Sequence, residues 1–146
     1  MKKVLTGALI FFLLLGQSSL FAEDDFLTAI GSLGASNLYM TFLTIGLLGD
    51  SFEKNVYPAE TTKDLIDAII SLTKTSQESL NALVAGGEIT GEDRATILEM
   101  MQAHGLLEKQ AGELAKYVNN KATPNDFQFF RKKSWELIAK ILNIPQ

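Results

Sequence analysis

No stretch of this chain alternates apolar and polar side chains with period two, which argues against a β-sheet as its core. Apolar residues recur instead at spacings of three and four, the stripe of a helix that buries one face. The prolines, Pro58, Pro124 and Pro145, fall where those stripes break, at positions where a missing N–H costs a helix little. Four helical segments result, at about 24–55, 59–85, 91–119 and 124–143.

The first segment opens on Glu23-Asp24-Asp25, suited to the positive end of a helix dipole, and stops ahead of Pro58. Its stripe is Leu27, Ile30, Leu38, Phe42, Ile45, Leu48 and Phe52, with Gly34 in the gap. The second carries Leu65, Ile66, Ile69, Leu72, Leu80, Leu83 and Val84, and Gly86-Gly87 supplies its left-handed stop. In the third, Thr90 is the N-cap with Asp93 completing a capping box, and Ile97, Met101, Leu107, Ala111, Leu114 and Val118 face inward. Thr123-Pro124 caps the fourth, where Phe127, Phe130, Leu137, Ile138 and Ile141 form the stripe. Short connections place successive helices antiparallel, so the expected fold is all-α: a single up-down-up-down four-helix bundle.

Ahead of this bundle, Met1-Lys2-Lys3 leads into a charge-free run from Val4 to Ala22 that is apolar up to Leu15 and weakly polar from Gly16. That order is the layout of a bacterial secretory signal peptide. The expected organisation is a signal peptide over 1–22, cut after Ala22, and a bundle domain over 23–146. The protein is then exported, to the periplasm or beyond the cell. The competing reading of the same run is an uncleaved anchor, which needs about 20 apolar residues where this dense part is shorter.

The chain has no Cys, so neither a disulfide framework nor thiolate ligation is available and packing must supply the stability. Without Lys2 and Lys3, eleven basic residues stand against seventeen acidic ones, a net charge of −6. Such a balance disfavours general nucleic-acid binding.

From Phe26 to Leu48 there are 23 residues without a charge, enough to cross a bilayer. The expectation is nevertheless burial among the other three helices, with Gly31, Gly34 and Ala35 permitting close approach. No Lys or Arg cluster follows as a stop-transfer flank, so no stable membrane span is expected after cleavage. A dimer seam along Thr28, Ser32, Ala35 and Tyr39 is the other use of such a helix.

Candidate chemistry is sparse. His104, the one histidine, follows Met100 and Met101 by four and three residues, a spacing that could serve a soft metal or a haem in the bundle interior. The plainer account has Met101 in the core, Met100 at its margin and His104 at the boundary. No Glu-x-x-His pair, G-x-S-x-G or phosphate loop occurs. An enzyme is not expected, and no cofactor. Residues 121–146 carry a net +3 while residues 23–120 carry −9. The fourth helix therefore offers a docking face, Phe129 and Trp135 beside Arg131, Lys132 and Lys133, for a protein partner or an anionic surface. Pairing of those cations with acidic neighbours inside the bundle is the competing account.

The sequence thus reads as a small exported, non-catalytic bundle that acts by binding in the cell envelope, through a protein partner or by self-association. A small-ligand, metal or haem carrier using the interior near His104 is one alternative. A protein associated with the membrane through its uncharged first mature helix is the other.

Overall fold

The computed structural model describes residues 2–120 and 122–145, with side chains from Leu27 onward. Its helices are α1 (Lys2–Glu53), α2 (Ala59–Ala85), α3 (Gly91–Val118) and α4 (Pro124–Ile141), and no strand occurs among the described residues. The three later helices match the sequence boundaries within two residues. The first does not. α1 runs through the junction where a new helix was expected at Asp24, because no glycine or proline stands between Gly16 and Gly31 to break it. The expected cut after Ala22 falls on residues whose side chains lie outside the described set.

Two compact units divide the chain, Met1–Leu33 and Gly34–Gln146. The first is part of α1 alone, and there Leu33 stands 71% exposed. The second holds the rest of α1, the other three helices and the core.

Each helix ends in a residue with positive φ, namely Asn55, Gly87, Asn120 and Asn143. Asparagine tolerates that left-handed region better than most residues, because its short amide can bond locally. After α1, Val56 N–H donates to the Ser51 carbonyl and Asn55 N–H to that of Phe52; after α4, Ile144 and Asn143 repeat the pattern onto Ala139 and Lys140. These are Schellman closures, which satisfy carbonyls that the helix itself leaves unpaired. The Gly86-Gly87 stop is where the sequence places it. Thr90 and Thr123 occupy N-cap positions in extended backbone, but neither side chain makes a capping bond, so no capping box forms at Asp93.

The core centres on α3, which buries Ile97, Met100, Ala103, His104, Leu107, Gln110, Ala111, Leu114 and Val118. The spacing is that of a helix with neighbours on more than one side. Leu38, Ile45 and Leu48 from α1, Ile66 and Leu80 from α2, and Phe127 and Ile138 from α4 complete it. α2 contributes little else: Leu65 and Leu72, expected inside, are 42% and 68% exposed, while Thr62 and Thr73 are buried. Both threonine hydroxyls donate to carbonyls four residues back, Pro58 and Ile69, so burial leaves neither unpaired.

Glycines set the closest helix contacts. A Cβ on Gly34 would lie 2.9 Å from Met100 Sδ, and one on Gly49 would lie 2.7 Å from the Phe127 ring and 3.5 Å from a Leu114 methyl. Phe52 meets Tyr117 edge-on at 5.5 Å between ring centroids. Gly31, expected to allow a similar approach, would meet nothing within 4 Å. Between α2 and α3, Gln77 Nε2 donates to the Met101 carbonyl at 3.1 Å, and the same amide lies 3.3 Å from where a Gly105 side chain would begin. Lys74 pairs with Glu108 nearby.

Candidate functional site

The seam between α1 and α4 brings together the aromatic and basic residues singled out on α4, though not as one outward face. Trp135 stacks on Phe42, with centroids 5.4 Å apart and planes 28° apart, and leans on Tyr39 at 6.3 Å. One turn earlier, Arg131 lies against Gly46 and reaches Asp50 at 3.0 Å, with its guanidinium carbon 6.0 Å from the Phe127 ring centroid. Residues four apart share a helix face, so the indole and the guanidinium both turn towards α1. Trp135 and Arg131 thus hold helices together. Of the five residues expected to form a docking face, these two turn towards α1.

Phe129, Lys132 and Lys133 do point outwards. Phe129 is 56% exposed and packs edge-on against Phe130 at 5.2 Å. Lys133 pairs with Glu136 along the same helix, whereas Lys132 has no ion-pair partner among the described residues. The competing account of the basic helix holds in part: Arg131 meets Asp50 and Lys140 meets Glu99 across helices.

α1 departs further from expectation. Its buried side is narrow, and Met40, Leu43 and Leu47 are 60%, 37% and 65% exposed. Residues 27–53 form a helix long and apolar enough to cross a membrane, yet only 17% of its most apolar stretch is buried. Burial among three neighbours therefore fails as the account of its missing charges. Leu38, Ile45 and Leu48 satisfy the packing, and a second apolar row remains on the opposite side. Periodicity alone does not single out that row, because both faces of the helix are apolar. The repeat 40, 43, 47 was available as a signal.

His104 is not a boundary residue. It is 2% exposed, its Nδ1 has no hydrogen-bond partner, and burial pushes its imidazole from the usual 6.5 down to about 4. The imidazole is therefore neutral at neutral pH. Met100 is likewise buried and Met101 only partly so, the reverse of the sequence expectation. Among the described residues no group of three or more His, Cys, Asp or Glu side chains is placed to hold a metal ion. Two further buried side chains, Gln110 and Ser134, have polar atoms without hydrogen-bond partners.

No protein-family model, no curated protein and no solved structure matches the chain.

Proposed function

We propose that this protein is exported, loses residues 1–22, and works without catalysis by binding at the cell envelope or in the periplasm of a bacterium. One observation carries the binding part. Met40, Leu43 and Leu47 form an uncovered apolar row on a helix whose other side is already packed. Water-exposed apolar rows of this kind cost solubility and mark interaction surfaces. On α4, Lys132 adds a basic edge to this row, while Phe129 and Lys133 face away from α1.

The bundle that presents this surface runs up-down-up-down in our reading. Contacts between α1 and α3 pair 34 with 100, 49 with 114 and 52 with 117, a nearly constant offset that fits parallel helices. Contacts between α1 and α4 pair 42 with 135, 46 with 131 and 49 with 127, and those between α2 and α3 pair 74 with 108 and 77 with 105. There one number rises as the other falls, which fits antiparallel neighbours.

Fractionation with N-terminal sequencing tests this reading. The expected result is a periplasmic or envelope form beginning at Glu23, retained less well when Leu43 and Leu47 are both replaced by Asp. A chain confined to the cytoplasm with its leader intact would overturn it.

A second reading, a carrier of a soft metal or small ligand, rests on the buried Nδ1 of His104 four residues from the buried Met100. Metal analysis and an absorption spectrum of protein from its native compartment decide it; blanks in both would remove it.

A further inference from the structure

Four features of the outward side of the α1–α4 pair belong together. The first is the row Ser36, Met40, Leu43, Leu47, spaced four, three and four on α1, all of it exposed. At 1.5 Å per residue it covers about 16 Å of helix. The second is what flanks it. A helix seam in water carries charged side chains beside its apolar row, where they set partner and register. Here the flanking Asn37, Tyr39 and Thr44 carry none, and the next charge along α1 is Asp50. The third is Thr44, whose hydroxyl donates to the Met40 carbonyl at 2.8 Å, the same internal bond that exposed Thr75, Ser79 and Thr96 make on α2 and α3, so it is compatible with an apolar contact. Groups that face hydrocarbon have to be satisfied internally in this way. The fourth is Lys132. The contacts of Phe42 with Trp135 and of Gly46 with Arg131 fix the seam, and the helical turn carries both Leu43 and Lys132 to its outer edge at the same level. Of the charged groups on that edge, Lys133 and Glu136 pair with each other and Arg131 pairs with Asp50. Lys132 is left as a net positive charge beside the apolar row.

We infer that this side of the molecule lies on an anionic lipid bilayer, with Met40, Leu43 and Leu47 in the headgroup–acyl boundary and Lys132 on lipid phosphate. The inference rests on the binding role proposed above and names its partner. The contact is peripheral rather than spanning, because Leu38, Ile45 and Leu48 on the same helix are held in the core. Interfacial helices ordinarily pair an apolar face with a polar one. In this protein the second face is replaced by packing against α3 and α4.

The chain has no Cys, so single cysteines can carry a fluorophore in the full-length protein. Leu47→Cys reports on the row, and Ser71→Cys, exposed on α2, is the control. Both are reconstituted with vesicles of phosphatidylglycerol and phosphatidylcholine, where any tethering by the leader is common to the two. The expected result is that the label at 47 is quenched by brominated lipid and shielded from aqueous iodide, while the label at 71 is open to iodide. Lys132→Gln should reduce the shielded population about five-fold on these vesicles and leave it unchanged on phosphatidylcholine alone. Equal iodide access at 47 and 71 overturns the inference. So does a label at 47 shielded from both quenchers that cross-links to a second copy, which would make the row a dimer seam. An uncut chain found only in the cytoplasm would overturn the envelope reading while leaving the vesicle result intact.

Discussion

Arg131 reaches Asp50 by lying across Gly46, where a single added methyl would stand 2.8 Å from its Nη2. The glycine thus lets the guanidinium lie close to α1, and a larger residue would make it shift. Both charges are partly solvated, so the pair contributes at most about 1 kcal/mol. Alanine also favours the helix over glycine by about 1 kcal/mol. Gly46→Ala should therefore leave the melting temperature nearly unchanged while weakening the pair. A double-mutant cycle checks this: Asp50→Asn and Arg131→Gln should couple in the natural chain and couple less in the Gly46→Ala background.

Gly49 has the same shortage of space with a different outcome. Its neighbour is the ring of Phe127, which is fully buried and cannot swing aside as a guanidinium can. Gly49→Ala should destabilise the protein by about 1–3 kcal/mol in urea unfolding, since overpacking exceeds the gain in helix propensity. A neutral result would contradict this.

His104 makes stability depend on pH in a known direction. Its imidazole is held down to about 4 when folded, against the ordinary 6.5, so the unfolded chain takes up the proton first. Stability is complete above pH 6.5, falls as pH drops towards 4, and levels off below that. The loss should approach 3 kcal/mol. In His104→Leu the fall between pH 6.5 and 5, above the carboxylate range, should disappear from urea midpoints measured along a pH series. The same slope in both proteins would contradict this.

The left-handed asparagines give opposite signs for two small substitutions. Asn143 has φ +54 at the close of α4. Asn143→Gly should hold or raise stability by a few tenths of a kcal/mol, and Asn143→Ala should lower it by about 1 kcal/mol. Thermal melts resolve the difference.

Helix positions were legible in this sequence because the breakers are strong and local. Pro58, Gly86-Gly87 and Thr123-Pro124 each act within a residue or two, and they place α2, α3 and α4 almost residue by residue. Burial was less legible where one helix meets unlike neighbours. Periodicity assigned Leu65 and Leu72 to the core, yet the line of contact on α2 passes through Thr62, Ile66, Thr73 and Leu80. Threonine can take such positions because its hydroxyl bonds its own backbone, which no hydropathy pattern reveals. The α4 candidates show the same limit. Composition marked Arg131, Lys132, Lys133 and Trp135 as one basic aromatic group, while the 100° step between residues sends the first and last to α1 and the middle two outwards. Nothing in the spacing around His104 foretold its depth, since Met100 and Met101 are equally good core residues and only packing chooses between them.

The thin grip of α2 has a consequence for how the molecule comes apart. It buries four residues, Thr62, Ile66, Thr73 and Leu80, as many as α4, against nine for α3, but two of its four are threonines where α4 has Phe127 and Ile138. Amides of α2 should then exchange with solvent sooner than those of α3, through local opening rather than global unfolding.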